Sequence, residues 1–213
     1  MLACVSAREP TALTLTQFAR PAELSGALRR ELAECWAAVV NAGGAVIPAD
    51  CPPPPLVPAD VAAAVDHVAE HLAPEHCRLL VAALEGSVED SVAGSEAGSE
   101  AGSVAGCEAG SVAGWLVVRR EGHPLEAHCG VLNHVQTRVH LRRRGIGAAL
   151  MGEARRVARE EMGLERLKLS VRAGLGLEEF YRRAGWTEVG RWPGALRLAP
   201  GDDRDEILMS LAL

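Results

Sequence analysis

The stretch Leu141-Arg142-Arg143-Arg144-Gly145-Ile146-Gly147-Ala148-Ala149-Leu150 limits the architecture of this chain more than any other. It lies between an extended segment and the most strongly helical segment, so it must convert a strand into a helix. Gly145 and Gly147 leave backbone bare for a ligand to press against. The helix that starts here presents unpaired N–H groups and the positive end of its dipole. Arg142, Arg143 and Arg144 add charge of the same sign, as planar forks suited to phosphate oxygens. The stretch reads as a cradle for a ligand with several phosphates; a tight turn packed under a helix is the plainer alternative.

Two nucleotide loops are excluded by the same residues. Leu150 stands where a dinucleotide fingerprint needs a third small residue, and no Lys-Ser or Lys-Thr follows as a P-loop requires. Upstream, Glu126 to Thr137 predicts an extended segment with Cys129, Val131, Asn133, Val135 and Thr137 on one face. His128, Leu132, His134 and Gln136 are expected on the other. Downstream, Ile146, Leu150, Ala154, Val157 and Ala158 form the inward stripe of a helix ended by Gly163, with Glu153, Arg155, Arg156, Arg159 and Glu160 facing water. Leu167, Leu169 and Val171 then alternate with Arg166, Lys168, Ser170 and Arg172 as a half-buried strand. A short helix, Leu177 to Ala184, closes on Gly185 before a strand begins near Trp186.

Arg-x-x-Gly-x-Gly at Arg142–Gly147 and Phe-Tyr-x-x-x-Gly-Trp at Phe180–Trp186, in that order, resemble the acyl-CoA loop and the carboxy-terminal signature of the GNAT superfamily of N-acetyltransferases. The resemblance covers residues 78–213, and predicted helices at 21–42 and 58–72 agree with the family's plan. It implies an α/β (α+β) fold: a mixed, strongly twisted six- to seven-stranded sheet flanked by helices, its fourth and fifth strands splayed to admit the pantetheine arm of acetyl-CoA. It further implies that Val135, Gln136 and Thr137 offer backbone rungs to pantetheine. Arg142, Arg143, Arg144, Gly145, Ile146, Gly147 and Ala148 would hold the pyrophosphate, largely through main chain. A backbone N–H near Val135 would polarise the thioester carbonyl, and Tyr181 would be the acid that protonates the thiolate. A core tyrosine whose hydroxyl caps a carbonyl is the other reading of Tyr181.

The implied activity is acetyl transfer from acetyl-CoA to a primary amine of a small molecule or peptide, by direct attack in a ternary complex. Two positions depart from the pattern. Val131 stands where some members carry a glutamate base, which leaves water with His134, His128 or Glu126 to take the proton. Gly174 stands where many members have an asparagine. Many proteins of this fold pair through sheet edges, so a homodimer is an expectation of the resemblance alone. A non-catalytic acyl-CoA-binding sensor is the rival reading of the same loop.

The remaining segments fit one domain over 1–213. Thr11 to Phe18 alternates as a first strand, and Leu24, Leu28, Leu32, Cys35, Trp36 and Val39 mark a helix from Pro21 onward. Gly43 and Gly44 stop it, either as a C-cap or as lining of a substrate cleft. Cys51-Pro52-Pro53-Pro54-Pro55 is a stiff connector. The next helix, Pro58 to Leu72, carries His67-Val68-Ala69-Glu70-His71, which matches an inverted zinc-protease motif and keeps a zinc hydrolase through His67, Glu70 and His71 as a minority reading. A solvated helix edge is the simpler one, and no metal is expected, because no further ligand is announced. Arg78 to Leu84 is a buried strand.

From Ala93 to Gly114 the chain steps through Ala-Gly-Ser-Glu-like units, the bulk of a low-complexity insertion at 86–113 with too little apolar area to offset ordering entropy. Without it, Leu84-Glu85 would meet Gly114-Trp115 as a tight hairpin, the repeat being either an expansion or a partner-binding tail. Thr187 to Arg191 and Glu206 to Leu211 read as closing strands. Asp202, Asp203 and Asp205 between them are either a solvated tip or an attractor for a cationic amine. The net charge of -6 argues against a general nucleic-acid partner. No apolar run reaches the roughly 18 residues needed to span a bilayer, so no membrane partner is expected. Six irregularly spaced cysteines predict free thiols in a reducing, cytoplasmic setting.

Overall fold

The computed structural model describes residues 12–44, 52–85 and 110–213. Their strands form one seven-stranded sheet in the order β1-β2-β3-β4-β5-β7-β6, where β1 is Leu13–Phe18, β2 Cys77–Glu85, β3 Gly110–Arg120, β4 Cys129–Thr137, β5 Arg166–Arg172, β6 Thr187–Ala199 and β7 Asp202–Ala212. Every neighbouring pair is antiparallel except β4 with β5. That parallel pair needs a crossover, and the amphipathic helix α3, Ile146–Arg156, supplies it. Its end widens by one residue per turn over Val157–Glu161, where the Met162 N–H reaches back to the Val157 carbonyl at 3.0 Å.

Helices cover the sheet on both faces. On one, α1 (Gly26–Asn41) and α2 (Pro58–Glu70) pack over β2 and β3, burying Leu32, Trp36, Val40, Val61 and Val65 against Leu79, Val81, Trp115 and Val117. On the other, α3 and the short α4 (Leu177–Arg183) bury Ile146, Leu150, Ala154 and Tyr181 against Leu116, Leu132, Leu167 and Leu169. The inward stripe read for α3 is therefore the observed one, and β5 alternates as its polar and apolar residues require.

Three boundaries ahead of the glycine loop differ from the sequence reading, and after it the loop expected between Arg191 and Glu206 shrinks to a turn at 200–201, because β6 runs to Ala199 and β7 starts at Asp202. Proline at 21 starts a single tight turn, Pro21–Glu23, and α1 itself begins after Ser25, whose hydroxyl accepts the Leu28 N–H at 3.1 Å. Residues 124–126 form a similar turn, so β4 starts at Cys129 rather than Glu126. The third concerns the insertion: β3 starts at Gly110, and Leu84 faces Ser111 while Ala82 faces Gly114. Residues 110–113 thus belong to the sheet, with Val112 and Ala113 buried, and no tight hairpin joins Glu85 to Gly114. Residues 86–109 lie outside the described part.

α1 ends as Gly43 and Gly44 predict, with their N–H groups returning to the Val40 and Val39 carbonyls at 2.8 and 2.9 Å. Asn41 then grips Leu56 by both backbone groups, at 2.8 and 2.7 Å, and so fixes the start of the α2 segment. Among the described residues no helix is long and apolar enough to cross a membrane.

Candidate active site

The central pair of the sheet is only half closed. β4 and β5 pair from Cys129–Val131 with Arg166–Lys168 and no further. Beyond Val131, β4 keeps β3 on one side and offers a row of backbone groups to a gap on the other. The same segment is bulged: Trp115 faces Gln136, yet Val117 faces Asn133, so three steps on β4 match two on β3. His134 takes up the extra residue in the left-handed region, at φ 53°.

The bulge overturns the face assignment made from alternation. Cross-strand partners share a face, and Trp115 and Val117 belong to the α1 layer while Val118 belongs to the α3 layer. Asn133 and Gln136 therefore turn toward α1, whereas Leu132 and Val135 turn toward α3. Gln136 is 1 % exposed, and its amide nitrogen and oxygen are both unpartnered within the described protein. The His134 ring lies against Trp36 at 4.5 Å and stacks on Trp115 at 5.2 Å between ring centres. Burial pushes its pKa down to about 4, so the imidazole is neutral near pH 7.

After β4 the chain makes a tight turn, Val139–Leu141, and reaches the glycine loop. Arg143 and Gly145 both sit in the left-handed region, at φ 65° and 81°. Gly145 is the N-cap of α3 and has no capping side chain, so the first N–H groups of the helix stay open to a ligand. A side chain at Gly147 would come within 3.3 Å of the Phe180 ring and 3.7 Å of Thr137 Oγ1. Loop, β4 and α4 thus converge there. From Ala148 a groove of about 310 Å³ continues between α3 and α4, with Met151, Gly152, Phe180, Arg155 and Arg183 among its walls.

The three arginines do not act alike. Arg143 and Arg144 are exposed at the loop, but Arg142 extends toward the end of α1, where a Cβ on Gly44 would lie 3.2 Å from its Nη2. Tyr181, the chain's one tyrosine, is 6 % exposed with Phe180 and Trp186 edge-on at 5.1 and 6.0 Å. Burial raises its pKa well above the ordinary phenol range, so it keeps its proton.

The other candidates are placed less centrally. Glu126 lies 3.6 Å from the Nζ of Lys168, which is also 2.8 Å from Glu121, so the single lysine is held in ion pairs. His128 is exposed just before β4, and Val131 stands half-buried at the last paired rung. Gly174 has φ 88°, and Arg204 Nη1 lies against the space a side chain there would take. The arginine occupies ground that an asparagine would need. The acidic run, read as a turn, lies in β7 and is not a free patch: Asp203 binds Arg197 at 2.6 and 2.8 Å, Asp202 binds Arg204, and Asp205 takes Arg191 at 3.1 Å and the Gly194 N–H at 3.0 Å.

His67, Glu70 and His71 sit exposed on α2, the two rings 4.1 Å apart, with His71 Nδ1 only 2.7 Å from the His67 carbonyl of its own helix. Among the described residues no group of three His, Cys, Asp or Glu side chains is disposed to hold a metal, so the structure brings no third ligand to the zinc motif. Two groups were missed by sequence reasoning. Trp36 was read only as core, and Arg172 only as the solvent face of a strand. Arg172 in fact donates from Nη2 to the Gly43 carbonyl, so the glycine pair read as either cap or cleft lining is a cap that also meets the end of β5.

Comparison with known proteins agrees with this geometry. The model of the acetyltransferase (GNAT) family matches residues 67–186, more than half of the chain. A tRNA uridine(34) acetyltransferase from Methanocaldococcus infernus is 44% identical over 50 residues, which is 24% of this chain and 9% of that protein. The chain therefore spans under a tenth of the length of the curated relatives it matches. The structure of a GCN5-related N-acetyltransferase from Kribbella flavida superposes with TM-score 0.65 and 17% identity, covering 95% of this chain and 98% of that one. A GNAT-family acetyltransferase from Streptococcus pneumoniae gives 0.61 and 17%, over 95% and 100%. At such identities the likeness is one of fold. With the family model spanning the splayed strands, the glycine loop and the Phe-Tyr signature, the chain belongs to the acetyltransferase (GNAT) family.

Proposed function

We propose that the chain transfers the acetyl group of acetyl-CoA to a primary amine by direct attack within a ternary complex. The observation that carries this reading is the open edge of β4 from Leu132 to Thr137, leading straight to the uncapped start of α3. An acyl-CoA fits both parts. The amide-rich pantetheine arm can pair with the free rungs at Val135, Gln136 and Thr137, and the diphosphate matches the N–H groups and positive charge from Arg142 to Ala148. Bound there, acetyl-CoA supplies an acyl group already activated as a thioester.

The chain's own residues divide the remaining tasks. The bulge twists β4 at His134, so the Val135 N–H can be aimed at a developing oxyanion instead of a neighbouring strand. Neutral His134 offers a ring nitrogen as hydrogen-bond acceptor to the amine or to water. Its low pKa keeps a second positive charge away from the nucleophile. Tyr181, protonated throughout the physiological range, donates to the departing sulfur. Cys35, Cys77 and Cys129, free among the described residues, support a reducing cytoplasmic location.

The test is an amine panel read by release of CoA thiol, run beside calorimetry with CoA. Tyr181→Phe should keep CoA affinity and lose about 100- to 10,000-fold in turnover, the usual range for removing a general acid. A sensor protein would bind CoA and transfer nothing before the change is made. Because the local likeness falls on tRNA acetyltransferases, tRNA belongs in the panel, although the net charge of -6 disfavours a polyanion.

A further inference from the structure

On the α1 side of the sheet, two arginines meet at the end of α1 and a third stands beside one of them. Arg142 reaches Gly44, Arg172 binds the Gly43 carbonyl, and Arg204 lies against Gly174. Arg204 is matched by Asp202. Arg172 is not matched. It forms no ion pair among the described residues, and its Nε is buried without a partner. Burial, and then the nearby Arg204, depress its pKa, only partly offset by Asp202. One carbonyl oxygen occupies a single donor of a fork that has five. Capping the negative end of α1 explains that bond, but not the orphaned Nε or the second guanidinium beside it.

The place of this residue in the sheet gives it a use. Leu167, Leu169 and Val171 face α3, so Arg172 faces the other way, at the wide end of the gap between β4 and β5. Its ladder partner on β7 is Glu206. Facing side chains of an antiparallel pair stand about 5 Å apart at Cβ, yet Arg172 turns to Gly43 and the two form no ion pair among the described residues. A guanidinium and a carboxylate stand side by side without neutralising one another. Gln136, with its unpartnered amide, faces the same layer from β4. Next to Glu206 on β6 is Trp192, 68% exposed, so the sheet face beside the charged pair is open.

We propose that the acceptor is a zwitterion: an amine that also carries a carboxylate or phosphate, its anionic end on Arg172 and its amine end toward the gap between β4 and β5, where the thioester would lie. This rests on the acetyltransferase reading and names the substrate class for the same site. It gives Arg172 an anionic partner that no described residue supplies, and it brings the acceptor in on the face opposite the phosphate loop, so acceptor and cofactor enter from different sides of the splayed strands.

The experiment compares glycine, β-alanine, γ-aminobutyrate and O-phosphoethanolamine with neutral n-propylamine, using acetyl-CoA and thiol release. At least one zwitterion should exceed propylamine about 10- to 100-fold in kcat/KM, the worth of a charge-assisted contact. Carboxylate and phosphate arms tell the two anions apart. Arg172→Gln should bring that ratio near one, mainly through KM, and Arg172→Lys, which keeps charge but loses the fork, should fall between. Melting curves show whether each variant folds. Equal use of propylamine by the unaltered protein, or a ratio that survives Arg172→Gln, overturns the proposal. Binding of the same compounds, followed by tryptophan fluorescence, decides it without turnover: affinity for every zwitterion no better than for propylamine sinks it. Absence of acetyl transfer to any amine, with zwitterion binding intact and sensitive to Arg172, would instead refute the enzymatic reading.

Discussion

Gly147 and Gly145 look equivalent in the sequence, and the structure assigns them opposite sensitivities. Gly145 sits at φ 81° with open space around a would-be Cβ. Alanine there costs about 1–2 kcal/mol of left-handed strain, or about 2–8 °C in Tm for a chain of this size. Its N–H is still free to face a phosphate, so affinity for CoA should stay within about tenfold. Gly147 lies in the first turn of α3 with ordinary backbone. Alanine gains up to about 1 kcal/mol of helix propensity, set against a contact of 3.3 Å to Phe180 that must relax slightly. Tm should therefore move by no more than about 4 °C. The new methyl group, however, points into the space shared by Thr137 and Phe180, where the diphosphate must approach bare backbone. Losing one or two charge-assisted hydrogen bonds of about 1.5–3 kcal/mol each raises Kd by about 10- to 20,000-fold. Calorimetry with CoA beside thermal melts separates the two effects. If Gly147→Ala binds CoA as tightly as the unaltered protein, the cradle is not where the loop geometry puts it.

Two further outcomes follow from the packing around β4. His134 holds its proton less well folded, at about 4, than unfolded, near 6.5. Its contribution to stability is thus complete above pH 6.5 and is lost as pH falls toward 4, roughly 3 kcal/mol in all. His134→Asn, which tolerates the left-handed backbone, should flatten stability against pH in that window, as denaturant titrations at pH 4.5 and 7 would show; an unchanged slope would mean the ring is not buried as a neutral group. A Cβ on Gly114 would meet the Gln136 carbonyl at 2.5 Å and Ile146 and Leu150 at 3.2 and 3.3 Å. Gly114→Ala should cost about 3 kcal/mol and lower Tm by about 6–12 °C, and a neutral result would show that β3 and β4 can separate there at little cost.

Local pattern was enough for much of this molecule. The strand-loop-helix-strand unit from β4 to β5 was legible because each piece carries its own period: two for Leu167, Leu169 and Val171, and 3.6 for Ile146, Leu150 and Ala154. Gly43 and Gly44 announced a helix end, and Phe180 to Trp186 announced a short helix closed by glycine. The repeat misled at its last units. Ala113 and Gly114 look like any other Ala-Gly of the insertion, and only pairing with β2, which a sequence window does not contain, draws residues 110–113 into the core.

The chemistry of the site depends on relations that no single segment holds. One extra residue on β4 reverses the faces of everything after Asn133, and alternation within the strand gives no sign of it, because a bulge is defined against the partner strand. The neutral state of His134 comes from Trp36 and Trp115, brought to it from α1 and β3. Arg172 is charged whatever its context, but that it ends up beside Gly43, Arg204 and Glu206 without an ion pair among the described residues is set by how three separate elements, α1, β5 and β7, come together. By itself the sequence determined where helices and strands form and which backbone can receive phosphate, since propensity, periodicity and glycine act over a few residues. Tertiary structure alone decided which polar groups are buried together and which charges lack partners, because burial and electrostatic pairing are properties of neighbours in space.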